Sequence, residues 1–403
     1  MITVSEAEAI ILAQAREYGT EHLPFDQALG RVLAEDLRAD RDLPPYNRVA
    51  MDGIAINYAA YEEGNRTFKI WATQAAGDQP VELASIYNCI EIMTGAALPA
   101  SADTIIRYED VTIEDGAATL QTEDIRKGQN IHPQGKDRKK GETVAPAKQV
   151  ITSALISMAA AVGATKLEVK KLPRAAVIST GDELVDVGDI PSPHQIRRSN
   201  SYAIKAALQT YALQVDLLHL PDNLQHMRNQ LKECLELYDV LILSGGISMG
   251  KFDYVPQVLE ELAVEKLFHK VQQRPGKPFW FGVHAAGAVV FALPGNPVST
   301  YMCLHRYFVP WLKASLGIGS TAGIYGILGE DVAFNPSQQY FLQVKVEMEE
   351  KGQVVAIPLS GNGSGDFANL VEADAFLELP STKTIFKAGE VYRLWPFKQI
   401  FFS

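Results

Sequence analysis

Between Arg174 and Gly317 the chain alternates two kinds of segment, and this restricts the fold more than any other feature of the sequence. Apolar, strand-like runs occupy 175–179, 213–220, 239–243, 266–271, 279–283 and 288–293. Helix-period segments lie between several of them, at 201–211, 224–238 and 254–262. Strands separated by helices must cross over to pair, so the pattern predicts a doubly wound α/β sheet. The run 239–243 is short, continuous and rich in branched side chains, as suits a strand buried on both faces.

In open sheets of this kind ligands bind beyond the carboxyl ends of the strands. Three strand ends carry suitable loops. The first is Ser179-Thr180-Gly181-Asp182-Glu183-Leu184. The second is Ser244-Gly245-Gly246-Ile247-Ser248-Met249-Gly250-Lys251-Phe252-Asp253. The third is Leu293-Pro294-Gly295-Asn296-Pro297-Val298-Ser299. Glycines allow positive φ and close backbone approach, and amides freed at a helix start favour an anion, typically phosphate. Each loop alone reads equally as a tight turn; three on one edge predict a cleft. Asn296-Pro297 also reads as an N-cap followed by a first-turn proline. Asp222 and Asp253 fit N-caps as well. The alternative reading of Asp182, Glu183, Asp222 and Asp253 is a carboxylate set that holds Mg²⁺ against a phosphate, since magnesium takes one or two carboxylates plus phosphate and water. Arg274-Pro275-Gly276-Lys277-Pro278 adds two cations in a rigid turn before a buried strand, an arrangement suited to an oxyanion or simply to a solvated surface.

Outside this region the signals differ. Ser5-Glu6-Ala7-Glu8 reads as a capping box opening a helix, and 25–33 as a second amphipathic stretch. The prolines of Leu43-Pro44-Pro45-Tyr46 forbid helix and predict an extended linker. Alternating runs at 66–71 and 89–93, and a hairpin signal at Asp115-Gly116 between 111–114 and 118–121, predict a β-rich domain. Residues 132–172 return to a helical pattern around 153–159. Past about residue 317 strands dominate again, at 340–348, 354–358, 376–379 and 392–396.

The net charge of −11 over 403 residues argues against a general nucleic-acid binder. It leaves room for a small anion where local loops or a metal override the global field. Three scattered cysteines, Cys89, Cys234 and Cys303, sit in apolar contexts and predict buried thiols, not disulfides or zinc ligands. No basic-then-apolar leader and no apolar run of membrane length is present, so the expectation is a soluble cytoplasmic protein, bound neither to membrane nor to nucleic acid.

Several short motifs recur in one order: Met51-Asp52-Gly53, Thr94-Gly95, Gly135-Lys136-Asp137, the three strand-end loops, and Pro275-Gly276-Lys277-Pro278. Together they resemble the molybdopterin molybdenumtransferase family, called MoeA in bacteria, which includes the gephyrin E domain. The resemblance implies four domains: an elongated one from 1–46 and 132–172, an inserted β-domain at 47–131, an α/β domain at 173–318 like the molybdopterin adenylyltransferases, and a C-terminal β-barrel-like domain at 319–403. It implies a homodimer with the site shared between one chain's α/β domain and the partner's β-domain. The implied reaction takes adenylylated molybdopterin and molybdate, uses Mg²⁺, and releases AMP; the adenylyltransferase is an implied further partner.

Carried over by motif, Asp52, Thr94, Asp137, Glu183, Asp222, Asp253 and Lys277 are the functional set, with Asp253 and Glu183 toward metal. Thr180, Gly181, Ser244, Gly245, Gly246, Ser248, Gly250, Pro294, Gly295, Asn296 and Pro297 are implied for the pterin substrate, and Arg274, Lys277 and Ser364 for molybdate. Two positions depart from the family pattern. Arg274 stands where Lys is usual, and Gln343 stands where Arg is often found. A molybdopterin adenylyltransferase and a non-catalytic, gephyrin-like dimeric scaffold are the competing readings, and preference for tungstate over molybdate stays open.

Overall fold

The computed structural model describes residues 1–247, 253–319, 323–335, 337–349, 352–360 and 367–398. They divide into two compact units: Met1–Ala34 with Lys148–Thr152 and Leu167–Ser403, and Glu35–Ala147 with Ser153–Lys166.

In the first unit the alternating segments form one six-stranded sheet. Its order is Val215–Leu220, Ala175–Thr180, Val240–Ser244, Val289–Leu293, Trp280–His284, Val264–His269. The first four strands are parallel and the last two antiparallel. Side chains alternate between two cores. Val177, Ile242 and Phe291 pack on one face with the helix Asn200–Gln209. Ile178, Leu243 and Val290 pack on the other with Leu224–Leu237 and Val255–Glu261. Both faces are covered, which is why every residue of Val240–Ser244 is buried. The doubly wound reading is therefore correct. Phe291 joins Phe281, Phe308 and Trp311 in an edge-on aromatic series with centroids 4.8–5.4 Å apart. Each such fully buried ring contributes about 1.5–3 kcal/mol.

The same unit carries a second six-stranded sheet that closes on itself. The strand Gln339–Met348 is 10 residues long. Its first half pairs with Ala375–Leu379 and its second with Val354–Pro358. Ile324–Leu328 and Val391–Pro396 complete a five-stranded barrel around Leu342, Val344, Ala356, Leu377 and Leu394. One short strand, Gln273–Arg274, pairs parallel with this barrel, Gln273 opposite Gln339 and Arg274 opposite Tyr340.

The second unit holds a mixed six-stranded sheet, with Gly53–Ile56 near one edge and the hairpin Val111–Glu114/Ala117–Leu120 at the other. Asp115 and Gly116 turn that hairpin with φ of +47° and +74°, the geometry the Asp-Gly pair predicts. Its described α-helices are Tyr58–Glu62 and Ser153–Ala161; most of the remainder of 132–172 forms short strands or loops, so the broader helical expectation there is too generous.

Three other local expectations shift. The capping box at the N-terminus is formed by Thr3 and Glu6, with Glu6 N donating to Thr3 Oγ1 at 3.2 Å and Thr3 N to Glu6 Oε2 at 2.8 Å. Thr3-Val4-Ser5-Glu6 satisfies the same pattern as the Ser5 box one half-turn earlier, and Glu8 instead pairs with Arg306 at 2.9 Å. The stretch 25–33 is only a single 3₁₀ turn, Phe25–Gln27. Neither Asp222 nor Asp253 is an N-cap. Asn223 caps Leu224–Leu237 through His226 N at 2.9 Å, and Tyr254 occupies the cap of Val255–Glu261. No helix among the described residues is long and apolar enough to cross a membrane. All three cysteines are buried free thiols.

Candidate functional site

The carboxyl ends of the parallel strands lie side by side, with Ser179 opposite Ser244 and Ser244 opposite Leu293. The first two loops interlock there. Gly245 and Gly246 have φ of +100° and +68°, and a Cβ on either would stand 3.0 or 2.7 Å from Thr180 Oγ1. Glycine is thus required by conformation and by space. Gly181, at φ +130°, lies so close to the Glu183 carboxylate that a Cβ would stand 2.3 Å from Oε2.

The second and third loops are tied by a residue the sequence reading overlooked. Asn200 Nδ2 donates to Ser244 Oγ at 2.9 Å and to Gly295 O at 2.8 Å, and reaches Thr300 Oγ1 at 3.3 Å. Thr300 in turn donates to Pro294 O at 2.5 Å. Asn296 occupies the N-cap position with Pro297 in the first turn, although its side chain makes no capping bond. These loops enclose a cavity of about 730 Å³, lined by Thr180, Glu183, Ser244, Gly245, Gly295, Asn296 and Pro297, together with Arg197, Arg198 and Asn200. Ser248 and Gly250, read as part of the same wall, lie outside the described residues.

Acidic groups gather beside it. Asp222 N donates to Asp182 Oδ1 at 3.0 Å. Burial raises the Asp222 carboxyl above its ordinary range, and the charges of Asp182, Glu183 and Asp253 push it further the same way. The four carboxylates that the sequence singled out therefore share one field. Among the described residues no three His, Cys, Asp or Glu groups form a ready-made metal cage.

The basic turn lines a second cavity of about 510 Å³. Arg274, Pro275, Gly276 and Lys277 face barrel residues Tyr340, Phe341, Leu342, Gln343 and Leu359, with Pro294, Asn296 and Ser299 at the side. The parallel pairing of Gln273–Arg274 with the barrel strand brings the turn there. The Arg274 guanidinium lies 5.8 Å from the centroid of Phe334. Gln343 is buried, and its Oε1 has no partner among the described residues. Beneath the turn sits Gln273, fully buried, with Nε2 donating to Gly276 O at 2.9 Å. Ser364 lies outside the described residues. Asn296 lines both cavities, so the two meet at the 294–297 segment.

In the other unit Asp52 and Thr94 come together: Thr94 N donates to Asp52 Oδ1 at 2.6 Å, and this bond holds the exposed Asp52 carboxyl below its usual range. Asp52 is fixed by the strand Gly53–Ile56, where a Cβ on Gly53 would stand 1.9 Å from Ile106 O. Asp137 lies on another loop, its Oδ1 2.9 Å from His132 Nε2. No hydrogen bond joins Asp137 to the Asp52–Thr94 pair.

With this geometry in place, three family models match the chain in succession. Residues 2–163 match the MoeA N-terminal region (domains I and II), 176–314 a probable molybdopterin binding domain, and 325–397 the MoeA C-terminal region (domain IV). A molybdopterin molybdenumtransferase of Synechocystis sp. is 40% identical over 395 residues, covering 97% of this chain and 99% of the relative. One of Staphylococcus epidermidis is 33% identical over 399 residues, covering 97% and 94%. Among solved structures, a molybdopterin biosynthesis MoeA protein from Pyrococcus horikoshii superposes with a TM-score of 0.83 at 28% identity, covering 99% of this chain and 100% of its own.

Proposed function

The chain belongs to the molybdopterin molybdenumtransferase family and inserts molybdenum into molybdopterin in cofactor biosynthesis, and from that premise we propose that its pterin substrate is adenylylated and that its two joined cavities divide the reactants. The pterin phosphate lies against the glycine loops at the strand ends, formed by Thr180, Gly181, Ser244, Gly245, Gly246, Gly295 and Asn296; Ser248 and Gly250 are assigned to the same substrate by motif alone. Molybdate, a substrate, enters the second cavity, where Lys277 and Arg274 supply positive charge; Ser364 is assigned to molybdate by motif alone. The observation that carries this division is that Asn296 lines both cavities. A pterin whose phosphate rests at the 294–297 segment would have its dithiolene within reach of an oxyanion held at the basic turn.

The charges suit these roles. Lys277 attracts an oxyanion as a compact point charge, and Arg274 offers a planar fork. The nearby carboxylates suit Mg²⁺: burial and the charges of Asp182, Glu183 and Asp253 raise the Asp222 carboxyl, a repulsion that a divalent cation would offset. Asp253 and Glu183 would hold the ion, which when bound neutralises phosphate charge and polarises the phosphoryl group as AMP leaves. Asp52, Thr94 and Asp137 complete the site from the partner chain of a homodimer. In this reading the chain has four domains, with limits at 1–46 with 132–172, 47–131, 173–318 and 319–403, works in the reducing cytoplasm, and receives its substrate from the molybdopterin adenylyltransferase.

Purified protein mixed with adenylylated molybdopterin, molybdate and Mg²⁺ tests the proposal. AMP release that rises with molybdate is expected, and an AMP yield unchanged by molybdate would sink it.

A further inference from the structure

The basic turn rests on a buried polar contact that the division of cavities does not explain. Gln273 is wholly buried, directly before Arg274. Its Nε2 donates to Gly276 O at 2.9 Å and lies 3.5 Å from Cys303 Sγ, while Oε1 accepts from the Tyr307 hydroxyl. The orientation of the amide is determined by chemistry. Gly276 O can only accept, so the NH₂ must face it. That leaves Oε1 for Tyr307, which must donate. Burial holds the Tyr307 phenol well above its ordinary pKa, so it stays protonated for that task.

Tyr307 lies in an irregular stretch of its helix. The segments Pro297–Cys303, Leu304–Phe308 and Val309–Ser315 run on continuously, and the middle one is a π-helix with all five residues buried. Pro310 has no N–H to bond the Arg306 carbonyl four residues earlier, which favours such a widened turn. The turn is also pressed onto this helix. Gly276 has φ +85°, and a Cβ there would meet Cys303 Sγ at 2.8 Å and Met302 Cε at 2.9 Å.

We propose that Gln273 is a positioning residue for the oxyanion step. Gripped by Tyr307 on one side and gripping Gly276 on the other, it sets the height at which the turn presents Lys277 and Arg274 to the cavity. An apolar residue would fill the space but leave Gly276 O unpaired and the turn free to tilt. This rests on the reading that molybdate binds at Lys277, and the test separates the two.

Molybdate KM, pterin KM and kcat would be measured for Lys277→Ala, Gln273→Leu and Tyr307→Phe, with the melting temperature of each. Tyr307→Phe removes one hydroxyl and keeps the packing, so it remains informative if Gln273→Leu folds poorly. Loss of the contact is expected to raise molybdate KM by roughly three- to tenfold, with pterin KM and kcat held. A merely structural loss would scale all activity with the folded fraction. Unchanged molybdate KM in Tyr307→Phe, beside a raised KM in Lys277→Ala, overturns the proposal and leaves the cavity reading intact. Unchanged molybdate KM in Lys277→Ala removes both.

Discussion

Asn200 Nδ2 donates to Gly295 O at 2.8 Å, joining residues 95 positions apart in sequence. The same nitrogen reaches Ser244 Oγ at 2.9 Å. One amide from the start of a helix thus holds the ends of two neighbouring parallel strands at a fixed spacing. Asn200 and both of these partners line the cavity in which we place the pterin phosphate.

Asn200→Ala should therefore act on both stability and binding. Removing the donor takes a partner from three acceptors, Ser244 Oγ, Gly295 O and Thr300 Oγ1, in a partly buried site, at a cost of about 1–3 kcal/mol. Urea unfolding would show the lower midpoint. Pterin KM should rise while molybdate KM stays nearly constant, because the basic turn lies in the other cavity. Equal changes in both constants would argue that Asn200 does not act on the pterin wall alone.

Much of this architecture is legible in the sequence because it is written in short-range periodicity. Continuous apolar runs marked the buried strands, and Asp115-Gly116 marked its hairpin. What spacing could not reveal was contact across strands. Gln273 reads as one of two ordinary glutamines, Gln272-Gln273, before a turn, and Asn200 as one more polar residue at a helix start. Their roles exist only once Gly276 and Tyr307, or Ser244 and Gly295, have been folded against them. Capping signals failed for a different reason. Several cap-competent residues stand in a row, as in Thr3/Ser5 and Asp222/Asn223, and the φ/ψ of the entering chain selects among them. The C-terminal barrel, which the family resemblance implied, is present; spacing alone could not show its closure, since Gln339–Met348 pairs with two strands through its two halves.

Gly246→Ala compared with Gly19→Ala separates two effects of adding a methyl group. Both glycines have positive φ, +68° and +86°. Gly19 has nothing within 4 Å of the added carbon, whereas Gly246 would meet Thr180 Oγ1 and Val255 Cγ2, each at 2.7 Å. Gly19→Ala should cost about 1–2 kcal/mol from backbone strain alone. Gly246→Ala should cost that plus about 1–3 kcal/mol of overpacking. Thermal unfolding of the two variants gives the difference directly, and equal losses would mean that the loop yields without resistance.

Asp222 and Asp52 should respond to pH in opposite senses. The folded-state pKa of Asp222 is raised, first by burial and then by neighbouring carboxylates. The folded protein thus binds this proton more tightly than the unfolded chain does, so Asp222 costs stability as pH rises from its unfolded pKa through its folded one. Asp52 is held low by the Thr94 amide. Its contribution is present above the unfolded pKa and lost as pH falls through the folded one. Asp222→Asn should accordingly stabilise the protein near neutral pH, with the gain vanishing in acid, while molybdenum insertion declines. Unfolding curves across pH 3–8 check the sign, and a stability loss at neutral pH would show that Asp222 is instead held as a favourable charge.

The last expectation concerns the site as a property of two chains. Asp52 and Asp253 belong to different compact units. If each centre draws its Asp52 from one chain and its Asp253 from the other, chains carrying Asp52→Ala and chains carrying Asp253→Ala are inactive alone but complement when mixed. Random reassortment makes half of all dimers mixed. In a mixed dimer one centre receives both defects and the other receives neither, so about one quarter of wild-type activity should return. A site built within a single chain gives no such recovery, because every chain in the mixture carries one defect. Co-expression with two different affinity tags and sequential capture isolates the mixed dimer, in which activity should reach about half that of wild type. Absence of any recovery in that purified species would assign Asp52 to a role outside the shared centre.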